Sequence, residues 1–204
     1  LRKVIFDKNS KLEIIGEQSF EYSAIESICI PSSVSEISNN AFCYCNDLRE
    51  VKFENDSKLE KIGEEVFSSS SIEEFFIPKN LKEIKKGFFY NVDYLRNIII
   101  SPLNDRFQYK DDKYLLSKTD DKSDNFDVLL FARRDIEEAT IPSNIKIIST
   151  YAFSIPTIES IRIPSSVTEI SDSAFFYCRN LKKVKFEDNS KLEKIGEDAF
   201  YESS

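Results

Sequence analysis

The sequence predicts a solenoid, a chain wound into stacked coils that are mostly β, and three observations lead there. Ile158 to Phe200 lies on Ile25 to Phe67 after a shift of 133 residues, with no gap and 30 of 43 positions identical. Each stretch is itself two shorter repeats, and a period of roughly 20–50 residues marks a stacked repeat array. Within the repeat the apolar residues hold fixed columns: L-x-x-V-x-I/F, a turn, V/L-x-x-I, then x-x-A-F. Openings at Leu1, Ile25, Leu48, Ile72, Leu95, Ile136, Ile158 and Leu181 define eight coils, with steps of 24, 23, 24, 23, 41, 22 and 23 residues.

The opening of each coil alternates apolar and polar residues, as a strand with one buried face does. The inward pairs are Val4/Phe6, Ile28/Ile30, Val51/Phe53, Phe75/Ile77, Ile98/Ile100, Ala139/Ile141, Ile161/Ile163 and Val184/Phe186. Pro31, Pro78, Pro142 and Pro164 follow four of these strands, where a missing N–H and a fixed φ suit a strand end. Other coils carry DKNSK, ENDSK or EDNSK there, a turn built on Asn, Asp and Ser. A second inward residue follows at Ile15, Ile37, Ile62, Ile84, Ile148, Ile170 and Ile195; the fifth coil shows none. Gly16, Gly63 and Gly196 come next and are expected to supply a bend with positive φ. Each coil closes on Phe20, Phe42, Phe67, Phe88, Phe153, Phe175 or Phe200. A small residue before most of these suggests a short helical turn. Fixing a residue's backbone costs about 1–2 kcal/mol, so a single coil is not expected to fold without its neighbours.

The fifth coil is the exception. Its two apolar runs, Tyr114–Leu116 and Phe126–Ala132, flank a polar turn at Thr119 to Asn125 and read as a β-hairpin inserted within an irregular region, 101–135. Asp111, Asp112, Asp120, Asp121 and Asp124 lack the spacing of a calcium loop, so no metal is expected.

Composition narrows the function classes. Hydrophobic residues make up 41% and charged residues 31% of the 204, which is ordinary for a folded protein. A net charge of −8 is at odds with a nucleic-acid binder, and no apolar run reaches the roughly 18 residues of a membrane span. There is no His for a zinc site or a nucleophile's base, and no phosphate-binding Gly loop. Cys45 and Cys178 share a repeat position five coils apart, roughly 24 Å at one strand spacing per coil, beyond disulfide reach. They read as buried core thiols. Leu1 to Ser23 aligns without gaps on Leu181 to Ser203, so residues 1–204 read as one array cut from a longer one.

IPSSVTEISDSAFFYC, its copy IPSSVSEISNNAFCYC and the degenerate IPSNIKIISTYAF together resemble the BspA-type leucine-rich repeat family, across essentially the whole chain. The segment YLLSK…FDVLLFARRDIEEATIP is similar to an insertion common in that family. The resemblance implies a right-handed leucine-rich-repeat solenoid on cell-surface proteins regarded as antigens or adhesins. It implies no shared catalytic residues and no cofactor.

Three functions remain in view: a non-catalytic protein-binding module, a carboxylate enzyme acting on polysaccharide, and a structural spacer. Glu36, Glu83 and Glu169 recur at solvent-facing positions, which disfavours a catalytic pair. The outward strand columns separate binder from spacer, since a binder should break its own repeat pattern there. Column five reads Ile5, Cys29, Lys52, Phe76, Ile99, Thr140, Arg162 and Lys185. The apolar departures place the expected partner site at Glu50, Lys52, Glu74, Phe76, Asn97 and Ile99, for a protein ligand such as a host matrix or cell-surface protein. Tyr114 or Phe126 of the hairpin is expected to form a wall of that site. The alternative is that the hairpin covers Phe76 and Ile99. Asn55-Asp56-Ser57 is a glycosylation sequon on a turn.

Overall fold

Strand, turn, short strand and closing turn repeat along the computed structural model, which describes residues 1–120, 122–154 and 156–203. Among the described residues there is no helix. The fold is a β-solenoid, with successive coils stacked through parallel strands. The chain divides into two compact units, Leu1–Arg106 and Phe107–Ser204.

Unit 1 contains β1 (Ile14–Ile15), β2 (Ser27–Ile30), β3 (Glu36–Ile37), β4 (Glu50–Phe53), β5 (Lys61–Ile62), β6 (Glu74–Ile77), β7 (Glu83–Ile84) and β8 (Asn97–Ile100). The short strands form one parallel sheet, β1-β3-β5-β7, whose register stacks Ile15, Ile37, Ile62 and Ile84 in a buried column. The longer strands pair only in twos, β2 with β4 and β6 with β8. Proline contributes to the interruption. Glu54 N–H donates to the Ile30 carbonyl at 3.0 Å, and Ser101 N–H to Ile77 at 3.0 Å. The matching donor between β4 and β6 would be Pro78, which has no N–H to give. Pro31 stands at the same point after β2, and toward the preceding coil a lone bridge, Lys3 to Ser27, replaces the ladder.

The closing turns form a third set of backbone contacts. Residues two before and two after each closing Phe adopt positive φ: Gln18 and Tyr22, Asn40 and Tyr44, Glu65 and Ser69, Gly87 and Asn91. Alternate N–H groups then point at the next coil, as in Asn40 to Glu64 O (2.8 Å), Phe42 to Val66 O (3.0 Å) and Tyr44 to Ser68 O (2.9 Å). The expected helical turn is therefore corrected. A helix would direct these groups to carbonyls four residues back, whereas left-handed residues turn them along the stack. The left-handed conformation costs non-glycine residues roughly 1–2 kcal/mol each, offset here by bonds that no single coil can make.

Two further expectations change. The closing residue of the fourth coil is Phe89, not Phe88: Gly87 takes the left-handed position at φ 69°, and Phe67 N–H donates to the Phe88 carbonyl at 3.0 Å. The column Phe20, Phe42, Phe67, Phe89 has ring centroids 5.1, 5.7 and 6.1 Å apart, close to the spacing of adjacent strands. Gly16, Gly63 and Gly196 do not have positive φ. At Gly63 the requirement is room, because a Cβ there would lie 2.6 Å from the Asn39 backbone nitrogen. Asn39 Oδ1 occupies that space and accepts the Glu64 N–H at 2.9 Å.

Unit 2 contains β9 (Gln108–Lys110), β10 (Tyr114–Ser117), β11 (Val128–Ala132), β12 (Ala139–Thr140), β13 (Ile147–Ile148), β14 (Ser160–Ile163), β15 (Glu169–Ile170), β16 (Lys183–Phe186) and β17 (Lys194–Ile195). β10 and β11 are the antiparallel pair expected of the hairpin, and β9 adds a third antiparallel strand. β11 then pairs in parallel with β13, placing Leu129 beside Ile148. Leu129, fully buried, thus supplies the second inward residue that the fifth coil lacked. Ala132 N–H donates to Ala152 at 2.9 Å, as Phe153 does to Ala174, so Ala132 holds the closing-Phe position. The space left by its small side chain is taken by Tyr114, its cross-strand partner, whose ring lies 6.3 Å from that of Phe153. Phe153, Phe175 and Phe200 continue the column at 5.1 and 4.9 Å. The remaining long strands form the sheet β12-β14-β16.

Asp127 anchors the insertion. It is 2% exposed, accepts from Thr119 N–H (2.9 Å) and Thr119 Oγ1 (2.8 Å), and pairs with Lys146 Nζ at 2.9 Å. Burial by itself would raise this carboxyl, but the bonds from Lys146 and Thr119 outweigh it and hold the acid below its ordinary value. A depressed folded pKa gives stability that is present above the unfolded value, about 3.9, and lost as pH falls through the folded one. Asp127→Asn should therefore lower stability at neutral pH by about 1–3 kcal/mol. It should also flatten the acid limb, which urea titrations from neutral pH to below about pH 3 will read.

Phe67 is fully buried and meets the rings of Phe42, Phe75 and Phe89. Phe67→Ala should cost about 3–5 kcal/mol in chemical denaturation. A melting curve equal to the parent's would contradict the inward register.

Candidate partner-binding face

The outward side of β4, β6 and β8 carries the six residues singled out from the sequence, and all six are exposed. Inward neighbours on the same strands, Val51, Phe75 and Ile98, are buried, so alternation along each strand aims the six outward. Phe76 and Ile99 are direct cross-strand partners and are 39% and 42% exposed. Glu74 and Asn97 are the next matched pair on that face, with Asn97 Nδ2 donating to Glu74 Oε2 at 2.8 Å. On β4, Lys52 and Glu50 form an ion pair at 2.7 Å.

An open groove of about 480 Å³ runs along the unpaired boundary between β4 and β6. Arg49, Lys52, Glu73, Glu74 and Phe76 line it, together with Cys29 from β2. Phe53 closes its floor by meeting Phe75 edge to face at 5.9 Å. Pro78, by withholding a hydrogen bond, thus helps open the surface beside Phe76. Arg49 and Glu73 are groove residues that the sequence reading passed over, although both stand in the second column of their repeats.

Tyr114, expected as a wall of this site, is instead 1% exposed within the unit 2 core, with its hydroxyl accepting the Thr140 N–H at 3.1 Å. The vacancy above Ala132 draws the ring inward. Phe126 is half-buried against the same core, beneath Lys118 Nζ at 4.8 Å.

The recurring acids Glu36, Glu83 and Glu169 are half-exposed, and each is paired with a lysine: Lys61, Lys85 and Lys194. Burial, followed by the charge of Glu64, raises the Glu65 carboxyl, which stands at a left-handed turn position. Among the described residues no group of three or more His, Cys, Asp or Glu could hold a metal ion, and no helix is long and apolar enough to cross a membrane. Asp121 lies outside the described residues. Asn55 is exposed on its turn, while Ser57 is buried with its hydroxyl accepting the Leu59 N–H at 3.3 Å.

Cys45 and Cys178 are core thiols with a further task. Cys45 Sγ donates to the Phe20 carbonyl at 3.0 Å, Cys178 Sγ to Phe153 at 2.9 Å, and Ser203 Oγ to Phe175 at 3.0 Å. In these coils the side chain three residues after the closing Phe thus donates to the preceding coil. Burial pushes the Cys43 thiol up to about 11, and Cys29 is the exposed cysteine. Thiol titration of the unreduced protein should give four groups after denaturation. In the native state Cys29 should react well ahead of the other three. A denatured count of two or none would show a disulfide.

A family model described as the BspA type leucine rich repeat region matches the chain in six copies, over residues 1–110 and 123–204. No curated protein matches. Among solved structures, the chain is similar to the pneumococcal vaccine antigen PcpA at 26% identity and a TM-score of 0.79, over 94% of this chain and 52% of that one. A leucine rich cell surface protein from Faecalibacterium prausnitzii aligns at 22% identity and a TM-score of 0.74, covering 92% of this chain and 55% of that one. A leucine-rich repeat protein from Eubacterium ventriosum aligns at 23% identity and 0.67, covering 92% and 58%. The last two show the fold alone. The chain spans between 52% and 58% of the length of these three proteins.

Proposed function

The chain belongs to the BspA-type leucine-rich repeat family, and from that premise we propose that it is a non-catalytic protein-binding module of a cell-surface protein. Its partner is a protein, of the host matrix or a cell surface, and the contact serves adhesion. The docking surface is the strand face of unit 1, with Phe76 and Ile99 at the centre and Glu50, Lys52, Glu74 and Asn97 as the polar rim. The observation that carries this reading is the exposed Phe76–Ile99 pair, matched across β6 and β8. An apolar centre within a charged rim suits a protein interface. The cell-surface setting is supported by the description of the Faecalibacterium protein and by the antigen PcpA.

A binding screen against matrix and cell-surface proteins should identify a partner for the parent chain. Phe76→Ser combined with Ile99→Ser should then weaken binding by about 2 kcal/mol or more, roughly thirtyfold. Because both side chains point outward, stability should change by no more than about 1 kcal/mol for the two substitutions together. Unchanged binding, or a large fall in melting temperature, would remove the site from this face.

A further inference from the structure

The internal copy Ile158 to Phe200 reproduces the frame of Ile25 to Phe67 in structure as well as in sequence. β14 pairs with β16 in the same four-residue register as β2 with β4. The outward faces of the two pairs differ. In the first copy the outward residues are Ser27, Cys29, Glu50 and Lys52, and Glu50 neutralises Lys52 at 2.7 Å. In the second they are Ser160, Arg162, Lys183 and Lys185, so two replacements turn a neutral face into three cations within a chain of net charge −8.

Glu187, the copy of Glu54, stands two residues beyond Lys185 and accepts the Ser165 N–H at 3.1 Å. Among the described residues none of the three cations makes an ion pair, whereas the neighbouring Lys182 is held by Glu159 at 3.3 Å. Arg162 and Lys185 are direct cross-strand partners, an arrangement of like charges that destabilises a sheet. Lys183 lies two residues from Lys185 on the same face, and all three side chains are exposed. The repulsion is retained on a frame that elsewhere carries the neutral solution.

We infer that the β14–β16 face of unit 2 is a second docking surface, and that it takes an extended acidic segment of a protein. Cations along β16 recur every second residue, about 6.6–6.8 Å apart, the spacing of alternate side chains on an extended chain lying alongside. No aromatic residue stands between the cations at the outward positions of β12, β14 or β16 to stack on a base or a sugar ring. This surface is independent of Phe76 and Ile99, so either site can fail alone.

The test uses the whole chain and labelled poly-L-glutamate as probe, read by fluorescence anisotropy, with sulfated dextran and single-stranded DNA in parallel. Poly-glutamate should bind at about 0.01 M salt and release as salt approaches about 1 M, where screening shortens from about 30 Å to about 3 Å. Arg162→Ser with Lys183→Glu, which restores the charge balance of the first copy, should weaken binding about tenfold or more at an unchanged melting temperature. Lys185→Gln alone should give a smaller loss in the same direction. Phe76→Ser with Ile99→Ser should bind poly-glutamate as the parent does. No binding at low salt, or parental binding by both cation variants, would overturn the proposal. Tighter binding of dextran or DNA than of poly-glutamate would overturn the assignment to a protein segment.

Discussion

Hydrogen bonds between one coil and the next are the constraint from which the rest of the structure follows. A 23-residue coil contains no helix and pairs no strand with itself, so its backbone is satisfied by its neighbours. An unpaired buried backbone group costs about 1–3 kcal/mol. The two strand columns and the closing turns therefore each donate along the stack. The turns do so by accepting left-handed residues on either side of the Phe column. The same requirement explains why Asn39 folds beneath Gly63: its side-chain oxygen satisfies an N–H that the short strand leaves over.

Where a coil departs from the repeat, the departure is absorbed without breaking that rule. The insertion in the fifth coil supplies Leu129 to the short-strand column and Tyr114 to the phenylalanine column. Arg134, 4% exposed, donates to the carbonyls of Ala132 (3.1 Å), Ala152 (2.9 Å) and Tyr151 (3.1 Å) and lies over the Phe131 ring at 4.6 Å. A buried guanidinium is tolerated there because carbonyl oxygens surround it.

Since inward columns and backbone carry the stability, the outward columns are free to differ from coil to coil. They do so in opposite senses in the two units. Unit 1 presents Phe76 and Ile99 beside the groove between β4 and β6, while unit 2 presents Arg162, Lys183 and Lys185. Near-identical repeats make such departures visible, because each copy serves as the reference for the other.

The repeat length, the inward columns, the hairpin and the outward placement of Phe76 and Ile99 were legible in the sequence, since side-chain alternation is a local property. The fourth Phe-column member was half legible: Phe89, like every other closing Phe, follows its Ile by five residues, and Phe88 by four. The closing turns were not legible. Asn40, Glu65 and Tyr151 share no side-chain chemistry that signals a left-handed backbone. That conformation is imposed by acceptors on the next coil, about 23 residues away in sequence. The same holds for Gly63, whose need for space comes from Asn39 in the preceding coil, and for Tyr114, drawn inward by the small side chain of Ala132. By itself the sequence determined most of the residues that face the core, because that depends on period, although Phe186 and Ile195 of the inward columns are exposed. Only the tertiary structure decided what each turn and insertion does, because their conformations answer to groups on other coils.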